Sequence, residues 1–239
     1  MVTLEICVDT PAGLAAAVAG GADRIELCAA LSLGGLTPSA GLMHLAARVP
    51  IPVYAMIRPR AGSFVYDTQD VEAMRAEIRA VRAAGLAGVV FGASRADGTL
   101  DEAVLATLVA EAQGLGTTLH RAVDLVPDPL AAMETAIALG FERILTSGGA
   151  LRAEEGTATL RALVSASNGR IAIMPGSGVR AANASAILAQ TGASEIHASC
   201  RGLASGAPDP RLLRFGFEAE GAQDTDRAVV AALRAALAG

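Results

Sequence analysis

The stretch Gly21-Ala22-Asp23-Arg24-Ile25-Glu26 decides the fold class, because it contains the end of one predicted helix and the start of a strand. Stretches with a glycine, a short turn and an apolar run recur at Gly85–Val90, Gly140–Leu145 and Gly192–His197. A glycine in this position is typical of a left-handed helix cap that leads directly into the next element. The recurrence therefore predicts alternating helices and strands joined by short turns.

Eight short apolar runs, separated by Ala-rich helical segments, can be placed around these turns. The predicted strands are Leu4–Val8, Arg24–Cys28, Val53–Ile57, Gly88–Phe91, Thr117–Ala122, Arg143–Thr146, Ile171–Met174 and Glu195–Ala198. Their starts lie about 20–35 residues apart, close to the ~30 residues of a βαβ unit. An open doubly wound sheet has the same local signals, but eight regular units favour an α/β fold of the (β/α)8 or TIM-barrel type in a single domain. We predict that residues 1–200 form the barrel, and that residues 201–239 form an extension whose final helix packs on the barrel or on a partner subunit.

Composition limits the possible functions. The chain has 239 residues, a net charge of −5 and 52% hydrophobic residues, but all of its cations are arginines. Because lysine is absent, Schiff-base chemistry and a lysine-containing phosphate loop are excluded. The absence of a basic block argues against nucleic acid as a partner, and no apolar run reaches the ~18–20 residues of a membrane span. We expect a cytoplasmic protein with reduced thiols, since its three cysteines show no disulfide or zinc-finger spacing.

Side chains alternate along a strand, so the polar members of each predicted strand share one face. The apolar members must face the helices, and the polar members therefore point into the barrel, where active sites lie at the carboxyl ends of the strands. The predicted inward set is Glu5, Cys7 and Asp9; Glu26 and Cys28; Met56 and Arg58; His120 and Asp124; His197 and Ser199. Cys200 has the opposite parity, and His44 is expected on a solvated helix.

Two interpretations of the inward cluster remain open. Two carboxylates on neighbouring strands with a histidine opposite suit general acid–base catalysis. The candidate catalytic residues are Glu5, Glu26, Arg58, His120 and His197. Alternatively, the carboxylates, arginines and histidines form a structural polar core, because buried ion networks perturb pKa values without being catalytic.

Cys7 and Cys28 lie on adjacent predicted strands, about 4.8 Å apart. Soft thiolates select Cu(I), and Met56 offers a nearby thioether, so these two cysteines are candidate metal ligands. The alternative is that both are buried thiols that act as small hydrophobic residues.

A glycine-rich loop, Met174-Pro175-Gly176-Ser177-Gly178-Val179-Arg180-Ala181, follows the seventh strand. It matches a relaxed dinucleotide-binding pattern, but it follows the wrong strand for that fold. We expect Gly176, Ser177 and Gly178 to bind an anion through backbone N–H groups, with Ser147, Gly148 and Arg60 extending the site. The alternative is that these glycines only form tight turns.

Several of these motifs together resemble the copper-homeostasis CutC family. The similar stretches are Glu5–Asp9, Gly21–Cys28, Gly34–Ser39, Met56–Arg60, His120–Ala122, Leu145–Gly149 and Met174–Gly178. The resemblance implies a cytoplasmic barrel, commonly dimeric, that binds Cu(I) at the cysteines matching Cys7 and Cys28. This sequence departs from the family pattern at Ser177, where the family often has glycine, and at Ala61.

Three functions follow from the sequence as hypotheses. The first is a cytoplasmic, homodimeric Cu(I)-binding homeostasis protein whose cofactor is copper. The second is a barrel enzyme that acts by acid–base chemistry on a small anionic metabolite, such as a phosphorylated one. The third is a scaffold or interaction protein without catalysis. Neither nucleic acid nor a membrane is an expected partner.

Overall fold

The computed structural model describes residues 2–203, 209–217 and 220–238, and it contains an eight-stranded parallel barrel that is nearly closed. The strands are β1 (Thr3–Val8), β2 (Arg24–Leu27), β3 (Val53–Met56), β4 (Gly88–Phe91), β5 (Gly116–Leu119), β6 (Arg143–Thr146), β7 (Ala172–Pro175) and β8 (Glu195–Ala198). They follow one another in chain order, and β1 pairs with both β2 and β8. The predicted (β/α)8 barrel is therefore confirmed, since an open doubly wound sheet has a non-sequential strand order.

Helices alternate with the strands and cover the outside of the barrel. They are α1 (Pro11–Gly20), α2 (Ala40–Ala46), α3 (Thr68–Ala84), α4 (Glu102–Glu111), α5 (Pro129–Leu139), α6 (Thr157–Ser167) and α7 (Ala184–Thr191). The glycines that were expected to end helices do so: Gly21, Gly85, Gly140 and Gly192 have φ angles of 94°, 79°, 86° and 75°. Each takes a left-handed conformation that glycine adopts without a steric penalty. None of the helices in the described ranges combines the length and apolar character that crossing a membrane requires.

Alternation along the strands separates the two faces of the barrel wall. On β1, Leu4, Ile6 and Val8 are completely buried in the core between the strands and the helices. Glu5 and Cys7 are also buried, but they lie on the opposite, inward face. The pattern follows from the two-residue period of a strand, as predicted.

The fifth strand ends earlier than expected. We predicted Thr117–Ala122, whereas β5 ends at Leu119 and a 3₁₀ helix spans Arg121–Leu125. The cause is His120, whose Nδ1 accepts a hydrogen bond from the backbone N–H of Ala122 at 3.2 Å and so caps the turn. The prediction that Asp124 continues the inward face of a strand was therefore wrong.

The amino-terminal half of the barrel interior is polar and internally compensated. Arg24 forms ion pairs with Glu5 and, at 2.5 Å, with Glu195. Glu195 also accepts from Arg143 at 3.1 Å. The guanidinium carbons of Arg24 and Arg143 lie 5.6 and 4.9 Å from the centre of the Tyr54 ring. Each buried charge thus has a partner of opposite sign or an aromatic face.

The described part of the carboxyl-terminal extension returns to the barrel. It contains β9 (Arg201–Leu203), α8 (Pro210–Arg214), β10 (Gln223–Thr225) and α9 (Arg227–Ala236), and β9 pairs antiparallel with β10. Arg234 of α9 donates to the carbonyl of Gly21 at 2.8 Å, and Ser185 of α7 donates to the carbonyl of Ala236 at 2.7 Å. Helix α9 therefore lies between α1 and α7 and occupies the eighth position of the outer ring.

Candidate functional site

A pocket of about 510 Å³ opens at the carboxyl ends of the strands. Its wall includes Cys7, Glu26, His120, His197 and Arg58, five of the residues that parity placed inside the barrel. The structure thus brings together side chains from five strands or the loops directly after them. This is the end of the barrel where function is expected.

One side of the pocket holds a thiol, a carboxylate and an imidazole. The potential ligand atoms of Cys7, Glu26 and His197 all lie within 4.8 Å of one another. Strand register explains this, because Cys7 of β1 pairs with Glu26 of β2 while Glu5, two residues earlier, pairs with His197 of β8. The group has the donor types of a three-residue metal centre with room for a further ligand from the pocket.

Glu5 orients the imidazole of His197. Its Oε1 lies 2.8 Å from His197 Nδ1, and its other oxygen pairs with Arg24. Burial alone would raise the pKa of Glu5, but the hydrogen bond to His197 and the charge of Arg24 lower it to about 2. The ionised carboxylate accepts the Nδ1 proton, which leaves Nε2 of His197 directed towards Glu26 at 3.8 Å.

The three grouped side chains are protonated more readily than their isolated counterparts. Burial raises the pKa of the Cys7 thiol and of the Glu26 carboxyl. Burial lowers the pKa of His197, but the nearby Cys7 and Glu26 and the hydrogen bond to Glu5 outweigh it and raise the pKa well above the usual value. Glu26 Oε1 is buried and meets no hydrogen-bond partner among the described residues.

Cys28 lies beside this group rather than inside it. Its Sγ is 3.5 Å from Glu26 Oε2, and it packs with Met56 in a small cluster inside the barrel. Burial and the charge of Glu26 raise the pKa of Cys28 well above that of a free thiol. The Cys7 and Cys28 side chains therefore share Glu26 as a neighbour, and Cys28 is completely buried.

Arg58 and His120 form a second part of the pocket wall. Arg58 Nη1 donates to the carbonyls of Leu33 and Gly35 at 2.8 and 3.0 Å. Burial lowers the pKa of His120 to about 4, so its ring is neutral at neutral pH. Phe64 contacts both, with its ring 5.1 Å from the Arg58 guanidinium carbon and 4.8 Å from the His120 ring centre.

Arg60, which we expected to extend the anion site, lies elsewhere. Its guanidinium donates to Asp70 at 2.9 Å and to the carbonyl of Val65 at 2.8 Å. The guanidinium carbon also lies 5.3 Å from the centre of the Tyr66 ring. It is not among the residues that line the pocket. The structure therefore does not bring Arg60 together with the other candidates.

Backbone N–H groups of the loop after β6 already donate hydrogen bonds to a carboxylate of this chain, that of Asp124. The Asp124 carboxylate accepts from the backbone N–H of Ser147 at 2.9 Å and from that of Gly149 at 3.2 Å. The N–H of Gly148 donates to the hydroxyl of Thr146 at 2.9 Å. The donors of Ser147 and Gly148 that we expected to receive a ligand thus have internal acceptors.

The glycine-rich loop after β7 is different, because it faces the pocket. Gly176 donates its N–H to the carbonyl of Thr146 at 3.0 Å. Ser177 and Gly178, both with positive φ, and Val179 line the pocket, and their N–H groups meet no acceptor in the described ranges. These three N–H groups are the part of the expected anion site that is available to a ligand.

The candidate residues chosen from the sequence did not include Arg24 and Glu195, which form ion pairs beneath the pocket, at the amino-terminal side of the barrel interior. Arg24 and Glu195 have the same parity as Glu26 and His197, so the alternation rule alone would have placed them inside the barrel. Glu5 contacts one of the candidate histidines, His197, but its arginine partner is Arg24, which was not among the candidate residues. The contact of Phe64 with the pocket had no such signal, since it comes from a loop.

Comparisons with known proteins agree with this architecture. A model of the CutC family matches residues 2–202. A Sinorhizobium medicae protein described as a family protein CutC is 58% identical over 236 residues, covering 99% of this chain and 96% of that protein. A human protein named copper homeostasis protein cutC homolog is 46% identical over 199 residues, covering 83% of this chain and 73% of the human one. The crystal structure of CutC from Streptococcus agalactiae superposes with a TM-score of 0.80 at 32% identity, covering 83% of this chain and 99% of that one.

Proposed function

This chain belongs to the CutC family, and we propose that it is a copper homeostasis protein which binds Cu(I) at the mouth of its barrel. The observation that carries the proposal is the grouping of Cys7, Glu26 and His197, whose ligand atoms lie within 4.8 Å of one another. A relative of known name, the human protein, is described as a copper homeostasis protein. The grouping supplies a place in this chain where a metal cargo would be held.

The donor types fit Cu(I). A thiolate from Cys7 and the imidazole nitrogen of His197 are ligands that copper accepts, and soft sulfur favours Cu(I) over hard divalent cations. Cys28 is the second thiol we assign to the cargo, because it lies 3.5 Å from Glu26 at the edge of the group. Met56, which packs against Cys28, adds a thioether to the same surroundings.

Glu26 is placed to accept the protons that the two thiols release. Metal ligands must lose their protons, so binding to Cys7 and Cys28 releases protons from buried thiols. Glu26 Oε2 already accepts a hydrogen bond from the Cys28 thiol, and its Oε1 has no partner among the described residues. We assign Glu26 the role of accepting a thiol proton as the cargo enters.

We propose that the protein acts in the cytoplasm as a homodimer. All three cysteines, Cys7, Cys28 and Cys200, are free thiols. A reducing compartment keeps thiols in this state and copper as Cu(I). The dimeric state is the expectation that comes from the family resemblance.

Anaerobic titration with Cu(I) in the presence of a competing chelator tests the proposal. The variants are Cys7→Ser and Cys28→Ser, and the matched control is Cys200→Ala, because Cys200 is also buried but belongs to the hydrophobic core. Loss of a direct ligand should weaken Cu(I) binding at least as much as loss of an outer-shell partner, about 10–100-fold. The control should keep the wild-type affinity.

Unchanged stoichiometry and affinity in a Cys7→Ser/Cys28→Ser double variant would refute the proposal. An equal loss in Cys200→Ala would also refute it, because the effect would then come from general loosening of the barrel. Circular dichroism of each variant establishes that the fold is retained.

A further inference from the structure

Arg58 is a buried cation with no counter-ion among the residues that the structure describes. Its side chain lines the pocket and the residue is 6% exposed. Its Nη atoms donate to the backbone carbonyls of Leu33, Gly35 and Gly62, and no carboxylate of the described residues forms an ion pair with it. Its Nε is buried and meets no acceptor in hydrogen-bond geometry among those residues, although Arg58 lies close enough to the buried hydroxyl of Tyr66 to oppose the rise in the pKa of that phenol. A buried charge is costly unless an opposite charge compensates it.

The arginines in the amino-terminal half of the barrel interior have carboxylate partners, unlike Arg58. Arg24 is similarly buried, but it pairs with Glu5 and Glu195. Arg143 also pairs with Glu195. Of these three inward arginines, Arg58 is the one that lines the pocket, and it is the one without a carboxylate partner.

His120 adds a second unused donor to the same wall. Because its Nδ1 accepts from the N–H of Ala122, the neutral ring carries its proton on Nε2. That Nε2 is buried and meets no acceptor in the described part of the chain, and the residue is 3% exposed. Gly92 makes room for the ring, since a Cβ at this position would lie 2.6 Å from His120 Nδ1.

The ring of Phe64 holds the two donors in one place. It lies against the Arg58 guanidinium and against the His120 ring, at 5.1 and 4.8 Å. Across the pocket, the N–H groups of Ser177, Gly178 and Val179 also lack acceptors among the described residues. Residues with unpaired donors thus lie in two parts of the pocket wall, whereas the carboxylate of Glu26 lies on the Cys7 side.

We propose that Arg58 and His120 bind the oxyanion, a carboxylate or a phosphate group, of a small organic ligand that occupies the barrel pocket. The guanidinium supplies the charge and Nε–H, and the imidazole supplies Nε2–H. A cavity of about 510 Å³ is of the size that holds a small metabolite. Cys7 lines the same pocket, but the contacts proposed here come from Arg58 and His120, so they do not require bound copper.

Titration calorimetry at constant ionic strength tests the site with three probes: inorganic phosphate, malonate and glycerol 3-phosphate. The variant is Arg58→Gln, and the matched control is Arg60→Gln, which removes an arginine two positions away that pairs with Asp70 outside the pocket. We expect saturable binding of at least one probe to the wild type. Arg58→Gln should weaken it at least about tenfold, as expected for a charge-assisted hydrogen bond, and Arg60→Gln should not. Comparison of malonate with the two phosphates distinguishes the sources of the oxyanion.

A second measurement uses the unmodified protein, in case Arg58→Gln does not fold. With ¹⁵N-labelled histidine, the Nε2–H signal of His120 should shift saturably as the probe is added. The signal is assigned by its loss in His120→Asn. The signal of His44, on an exposed helix surface, serves as the internal reference.

The two measurements give clear outcomes. A saturable probe whose affinity depends on Arg58 and not on Arg60, or a saturable shift of the His120 signal, supports the site. Equal losses in both arginine variants, or no saturable response of the wild type to any of the three probes, would overturn it. The probe titrations use the copper-free wild type and the arginine variants, whereas the Cu(I) titrations use the cysteine variants, so the failure of one proposal does not decide the other.

Discussion

His120 makes the stability of the protein depend on pH. Burial lowers its pKa from 6.5 to about 4 in the folded state, so between these values the unfolded chain binds a proton that the folded chain does not. The contribution of the neutral His120 ring to the free energy of unfolding is therefore fully present above pH 6.5, and it is lost as the pH falls towards 4. The loss from this one group approaches about 3 kcal/mol at pH 4, from 1.36 kcal/mol for each pKa unit.

The variant His120→Asn isolates this effect. Asparagine offers a side-chain oxygen that can replace Nδ1 as the acceptor for the Ala122 N–H, but it does not titrate. We expect the free energy of unfolding, measured by urea denaturation from pH 7 to pH 4, to fall less steeply in the variant. Glu5 and other carboxylates contribute equally to both proteins, so the difference between the two curves reports His120. Parallel curves would show that His120 has the same pKa in the folded and the unfolded protein, which contradicts the prediction.

At the level of single residues, alternation along strands was enough to predict most of the site. The period of two places Glu5, Cys7, Glu26 and His197 inside the barrel, and the structure has all four there. Their partners were harder to predict, because they depend on the stagger between strands. Cys7 lies opposite Glu26 rather than Cys28, a register that no single strand's pattern contains.

Among the secondary-structure elements, the contact between α1 and α9 depends on one small residue. A Cβ at Gly20 would lie 2.5 Å from Val230 Cβ and 3.0 Å from the carbonyl of Arg227. Because both neighbours belong to α9, Gly20→Ala should push this helix outward and destabilise the protein by about 1–3 kcal/mol, the usual cost of overpacking.

Gly41→Ala is the matched control. Gly41 lies in α2, and the nearest atom to an added Cβ is Ser39 Oγ at 3.9 Å. The same substitution there should stabilise the protein by about 0.4–1 kcal/mol, because alanine restricts the unfolded chain. Thermal denaturation of both variants measures the difference. Equal shifts would mean that α9 does not pack closely on α1 in solution.

Elements were predicted well where local signals agree and poorly where a side chain intervenes. The helix ends at Gly21, Gly85, Gly140 and Gly192 were predictable, because a glycine cap is a local signal. The end of β5 was not, since the capping of the Ala122 N–H by the ring of His120 is visible only in three dimensions. The position of α9 in the outer ring also depends on long-range contacts, such as the bond from Arg234 to Gly21.

For the whole molecule, the barrel brings its first strand close to its last strand and to the last helix. Strand β1 pairs with β8, and Arg234 of α9 lies 3.4 Å from the carbonyl oxygen of Val2. A short Gly/Ser linker of about eight residues can therefore connect the ends, and the chain can be opened elsewhere. Circular permutants make it possible to test whether the two faces of the barrel have different roles.

The two opening positions lie on opposite faces. Gly169, between α6 and β7, has open space around it and lies at the amino ends of the strands. The bond between Ser177 and Gly178 lies in the pocket wall, two residues after β7. Neither opening interrupts a strand, so the barrel core stays intact. Both permutants should therefore show the circular dichroism of the wild type.

Their Cu(I) affinities should differ. Opening at Gly169 leaves the pocket untouched and should retain the wild-type affinity. Opening after Ser177 frees the loop whose Gly176 lies against the ring of His197, where an added Cβ would be 3.5 Å from Cδ2. Loss of this support should weaken Cu(I) binding about tenfold, the scale found when an outer-shell contact of a metal ligand is removed. If both permutants bind Cu(I) equally, the loop after β7 does not hold His197 in place, and its contacts with residues such as Glu5 are enough to position the ring.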